Sequence, residues 1–198
     1  MEIDCALAVG VATPEHVARA EELGYTRAWC HDAPRHYSDV GMALAVAAGR
    51  TSRIRLGVAV GGYWRRATTD AGRVADLAER ARGRVELVVG LPGTDVPDPQ
   101  AHAASVRELL VAEHGIEGVP AWVARPGTGA WVPQNFRVPS PRGAALRSVL
   151  EVTPGADLAR IVHALRPAGL LVRPTGPDVV AELAEFAEAV RRIETLAA

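Results

Sequence analysis

His31 and Asp32 stand side by side where a short apolar run ends, and an imidazole beside a carboxylate is a pair that can move a proton. Neighbouring strand residues face opposite ways, so one of the two looks into a central site and the other does not. The alternative is structural: Asp32 caps the next turn and His31 packs between strand and helix. A second group follows the apolar run 54–60 and reads Gly61-Gly62-Tyr63-Trp64-Arg65-Arg66. There Trp64 can stack on a flat ring, and Arg66 can hold a carboxylate or phosphate. The same letters also suit a solvated turn. Gly90 and Gly93 bracket a third strand end, either for close approach of a ligand or as a plain turn. Arg125, Gly127 and Thr128 offer a guanidinium, unhindered backbone N–H groups and a hydroxyl, a set that suits a phosphate. Arg173-Pro174-Thr175-Gly176 is a second candidate of that kind. Both of these also read as turns.

What is missing narrows the chemistry. All 22 basic residues are Arg, so a lysine Schiff base is excluded. The chain has no Gly-x-Ser-x-Gly elbow, no His-Glu-x-x-His, no Cys-x-x-Cys and no Gly-Lys-Ser phosphate loop. Its six histidines are scattered, with His31 and His36 the one close pair, so no metal site is expected. A formal net charge of −1 gives no pull toward nucleic acid or an anionic membrane. Cys5 and Cys30 lie in apolar runs and read as small buried hydrophobes. There is no secretory pattern and no long apolar span, which predicts a reduced cytoplasmic protein.

The elements that must position these residues alternate. Strands are predicted at 3–9, 25–30, 54–60, 85–89, 119–124, 146–152 and 169–172. Between them fall amphipathic helices. Thr13 is expected as the first N-cap, with Pro14 at the first helical position and Gly24 as the stop. Ser38 or Asp39 caps the second helix, whose apolar face is Met42, Leu44, Ala45 and Ala48 and which ends at Gly49. Thr69 or Asp70 opens the third, which Gly83 closes. Asp98-Pro99 starts the fourth, ending at Gly115. Leu158, Ile161, Val162 and Leu165 mark the fifth, and Asp178 caps the last. Residues 130–143, with several prolines, Trp131 and Phe136, read as a long loop. Strand–helix alternation with small or polar residues at each strand's carboxyl end is the pattern of a parallel α/β fold. About seven strand–helix units are expected in one domain spanning 1–198, with a Pro-rich irregular insertion at about 125–145.

The letters also resemble a family. Asp32-Ala33-Pro34, Asp39 opening a helix with Leu44-Ala45 and Ala47-Ala48, the run Arg50-Thr51-Ser52-Arg53-Ile54-Arg55-Leu56-Gly57, and Gly83-Arg84-Val85-Glu86-Leu87 before Gly90 are similar to the bacterial luciferase-like monooxygenases. The resemblance runs from about residue 3 to 93. It implies a TIM-type (β/α) barrel, shortened in its middle, because a complete barrel typically takes about 250 residues. It implies an FMN- or deazaflavin (coenzyme F420)-dependent oxidoreductase acting on a small organic substrate. The ring would lie on the strand carboxyl ends, near Gly61, Gly62, Trp64, Arg66, Gly90 and Gly93. Trp64 and a Trp122/Trp131 loop would wall it, and His31 or Asp32 would handle the proton. Family members pair through early helices, so a homodimer is expected. The family usually continues after the strand-three Arg with His-Pro; here Arg66 is followed by Ala67-Thr68. Two other readings stand beside this one: a non-catalytic flavin-binding or partner subunit, and a cofactor-independent barrel enzyme.

Overall fold

Glycines and aspartates punctuate the chain where strand gives way to helix and back. Asp39 accepts from the N–H groups of Gly41 and Met42, and Asp98 from those of Gln100 and Ala101. Asp157 and Asp178 cap the last two helices in the same way. Each satisfies N–H groups that a helix start leaves unpaired. Gly24 and Gly115 end helices with positive φ, which costs a glycine nothing.

The structure is a computed structural model and describes residues 1–31, 39–60, 66–90, 97–124, 130–134 and 149–197. Its elements are β1 (Glu2–Ala8), α1 (Thr13–Leu23), β2 (Arg27–His31), α2 (Val40–Arg50), β3 (Arg55–Val60), α3 (Ala67–Arg80) and β4 (Val85–Val89). Then come α4 (Pro99–His114), β5 (Ala121–Ala124), β6 (Ala130–Gln134), β7 (Val149–Val152), α5 (Leu158–Leu165), β8 (Gly169–Val172) and α6 (Val179–Ala197). The strands follow one another in order around a closed barrel, β8 returning to pair with β1. All neighbours are parallel except β6, which is antiparallel to both β5 and β7.

The fold is therefore a shortened TIM-type barrel, and β6 shows how the shortening is done. A parallel neighbour needs a crossover of a dozen or more residues, whereas an antiparallel one can follow through a short turn. One reversed strand closes the ring, and among the described residues no helix lies between β5 and β7. This corrects the loop reading for 130–134: Ala130–Gln134 is a strand, while 135–143 lie outside the described residues. Pro133 lies beyond the two residues that pair with β7, a place where a strand tolerates a missing N–H.

Smaller corrections are local. Thr13 is the first residue of α1, not its N-cap; its hydroxyl accepts from the Gly10 N–H at 2.7 Å and donates to the Ala8 carbonyl at 3.3 Å. Helix α2 runs through Gly49 to Arg50. Its buried side is Val40, Leu44, Ala47 and Ala48, while Met42 is 73% exposed.

Of the residues that carry the resemblance, the runs Arg50–Gly57 and Gly83–Leu87 meet at the amino ends of β3 and β4. Glu21 of α1 accepts from three successive backbone N–H groups, Ser52, Arg53 and Ile54, just before β3. Arg84 donates to the carbonyls of Ala48, Thr51 and Ile54 and to the Thr51 hydroxyl. These two contacts tie α1, the end of α2 and the start of β4 into one frame.

Inside the barrel the packing is mixed. Ala6, Trp29, Val88, Trp122, Val149 and Leu171 form an inner apolar cluster, with Ala59 against it. The two indoles meet edge to face at 5.9 Å. Trp29 donates to Asp4 at 3.2 Å and Trp122 to Glu86 at 2.5 Å. Arg27 reaches Glu2, Asp4 and Glu86, and Arg55 pairs with Glu86. Burial pushes the Asp4 carboxyl up to about 7, against the opposing pull of Arg27 and the Trp29 N–H. Gly57 is required by this packing, since a Cβ there would fall 1.9 Å from Cε3 of Trp29.

Candidate active site at the carboxyl ends of the strands

Alternation along each strand decides which side chains reach the mouth of the barrel. Trp29, Val149 and Leu171 face the interior, so the residue two further on faces the same way. That puts His31 at the end of β2, Glu151 near the end of β7 and Arg173 just past β8 on the inner side. Ala8 follows Ala6 on β1 by the same rule. His31 is half-buried. Arg173 Nη2 lies 3.0 Å from Glu151 Oε1. Its Nε is buried with no hydrogen-bond acceptor among the described residues. The described rim thus joins a half-buried imidazole, an ion pair and small side chains.

Arg66 is exposed and occupies the N-cap position of α3, where its carbonyl accepts from Thr69 and Asp70. Gly90 has φ +81, and a Cβ there would lie 3.1 Å from Pro99 Cγ, so packing of α4 on β4 accounts for the glycine. Asp32, Gly61, Gly62, Trp64, Gly93, Arg125, Gly127 and Thr128 lie outside the described residues. Trp122, expected in a loop wall, instead fills the barrel interior from β5, because its indole N–H is held by the inward carboxylate of Glu86.

The turn after β8, which reads as a phosphate candidate or a plain turn, is held by the chain itself. Its Thr175 and Gly176 N–H groups donate to the two carboxylate oxygens of Glu182 in α6. The chain's own anion occupies what the sequence offers to a phosphate, and Glu151 engages the neighbouring Arg173. Glu151 and Glu182 were not singled out by sequence reading. A signal for Glu151 existed: a lone acid in a short apolar strand, one residue before its carboxyl end.

A second pair flanks the mouth from outside the sheet. Asp70 in the first turn of α3 is buried and lies 3.0 Å from His102 Nε2 in the first turn of α4. It fixes the two helix starts relative to each other. No group of three or more metal-ligating side chains occurs among the described residues. Among those residues no helix is long and apolar enough to cross a membrane.

Residues 11–109, half of the chain, match the family model described as luciferase-like monooxygenase, and the chain belongs to that family. Among solved structures it is similar to the coenzyme F420-dependent tetrahydromethanopterin reductase from Methanopyrus kandleri, at 21% identity over 94% of this chain and 62% of that one, with a TM-score of 0.47. A monooxygenase from Streptomyces bottropensis is also 21% identical, over 96% of this chain and 66% of that one, with a TM-score of 0.44. The oxygenating constituent of 3,6-diketocamphane monooxygenase from Pseudomonas putida, a type II Baeyer–Villiger enzyme solved with FMN, is 12% identical over 96% and 63%, with a TM-score of 0.41. The chain spans less than two-thirds of the length of each of these structures. Among curated proteins none matches.

Proposed function

We propose that the chain is an oxidoreductase that binds a flavin or a deazaflavin at the barrel mouth and acts on a small organic substrate there. The observation that carries this reading is the inner rim itself: His31, Glu151 and Arg173 converge on the end of the barrel where such folds build their sites, in a chain of the luciferase-like family. The described rim suits a flat ring with carbonyl edges, because Arg173 and His31 supply polar groups and Ala8 and Ala59 leave room. It does not suit a phosphate at the turn after β8, where Glu182 holds the N–H groups. When bound, the isoalloxazine or deazaflavin would supply the redox chemistry. The chain's own part is to orient the ligand with Arg173, hold that guanidinium with Glu151, and take or give a proton at His31.

Titration of the purified protein with FMN, and separately with coenzyme F420, in oxidised and reduced forms, tests the reading. Micromolar binding of one is the expected result. Binding of neither removes it and leaves the cofactor-independent enzyme.

One observation favours a modified version of this reading. The occupied turn after β8 fits a flavin-binding subunit that holds the ring more than the phosphate. In that case riboflavin binds about as well as FMN. The protein is further proposed to pair with a second copy through α2, where Met42 is 73% and Val46 50% exposed one helical turn apart.

A further inference from the structure

Among the described residues, Arg173 has one charged partner, on one side. Its Nη2 meets Glu151, 32% of its side chain stays exposed, and its Nε–H has no acceptor among the described residues. A guanidinium is all donor, with five N–H groups and no acceptor. Whatever meets its remaining edge must therefore bring an acceptor oxygen. An incoming oxygen meets the exposed edge of the guanidinium.

The charge of that oxygen is set by Glu151. The carboxylate already balances the guanidinium, so a second anion arriving at the pair would meet like charge. The inner side holds Leu171, Val88 and Ala59 together with the charged Asp4, Arg27 and Glu86 further down the barrel. Carboxylates and phosphates lose under these conditions, and an uncharged acceptor keeps the hydrogen bond without the repulsion. We infer that the Arg173–Glu151 pair recognises a neutral carbonyl oxygen, of a ketone or amide or of a flavin ring, at the barrel mouth. This rests on the mouth being the ligand site, and it adds the ligand's chemical class to that reading.

The test compares three probes of similar size, acetophenone, benzoate and ethylbenzene, with riboflavin as the ring-carbonyl probe. Binding is followed by calorimetry in wild type, Arg173→Gln, Arg173→Lys and Glu151→Gln, with thermal melts to establish that each variant folds. In wild type, acetophenone or riboflavin is expected to bind, with acetophenone at least about tenfold tighter than ethylbenzene or benzoate wherever it binds. Arg173→Gln removes that advantage, and Arg173→Lys, which keeps the charge but not the planar fork, restores it only in part. Glu151→Gln shifts preference toward benzoate.

Loss of acetophenone binding alone in Arg173→Gln assigns the carbonyl to a substrate. Loss of riboflavin binding alone assigns it to the flavin ring. Both support the inference. Three results overturn it: no binding of either carbonyl probe to wild type, benzoate binding tighter than acetophenone, or Arg173 variants that change neither. An Arg173-dependent acetophenone site in a protein that binds no flavin keeps this inference and removes the oxidoreductase reading. Flavin binding that no Arg173 variant affects, with acetophenone also unaffected, does the reverse.

Discussion

Single residues hold the barrel interior in one arrangement. Gly57 leaves the space that Trp29 fills, and Trp29 in turn packs on Trp122. Gly57→Ala therefore forces the indole or the strand to move, at a cost of about 1–3 kcal/mol. Urea unfolding should show the drop, and Trp29→Leu in the same chain should recover part of it, because the clash is with that ring. Asp4 gives a pH signature of its own. Burial raises its folded carboxyl to about 7, so between its ordinary range and that value the folded state binds a proton the unfolded chain has released. Stability from this group thus falls as pH rises from about 4 toward 7. Wild type minus Asp4→Asn, measured by urea midpoints across that window, should carry the slope, and a flat difference would mean that Asp4 stays ionised beside Arg27.

At the scale of elements, Glu21 joins α1 to the start of β3. Partial burial pushes its carboxyl up, but the N–H donors of Ile54, Arg53 and Ser52 outweigh this and hold it below the usual glutamate range. A lowered folded value means stability present above the unfolded value and lost as pH falls through the folded one. Glu21→Gln should lower the melting temperature at neutral pH and differ little from wild type below about pH 3. Equal melting temperatures at both pH values would show that the three N–H groups do as well with a neutral acceptor. Strand β6 belongs to the same scale. Reversing one strand removes the need for a crossover, and it places a short antiparallel segment in an otherwise parallel ring.

For the whole molecule the two ends of the barrel divide the work. The amino ends hold the frame through Glu21 and Arg84, and the carboxyl ends gather His31, Glu151 and Arg173. The exposed surface of α2 is where the proposed pairing would act. Met42→Glu should shift the protein toward monomer in sedimentation velocity while leaving its melting temperature nearly unchanged. A wild type that sediments as a monomer would remove the pairing proposal.

Local chemistry was enough for the elements. Asp39, Asp98 and Asp178 cap helices, Gly24 and Gly115 end them, and alternation of apolar runs with amphipathic stretches gives a parallel barrel, because each signal acts over a few residues. The family was legible too, in Arg50–Gly57 and Gly83–Leu87, although those residues turn out to hold the frame more than to line the mouth. What needed the tertiary structure were meetings between distant positions. Glu151 finds Arg173 across two strands, Glu182 reaches back to the turn that resembled a phosphate site, Trp122 turns inward to Glu86, and β6 inserts between β5 and β7. Each depends on closure of the ring, which fixes register and facing around the whole sheet, and no window of sequence contains that information.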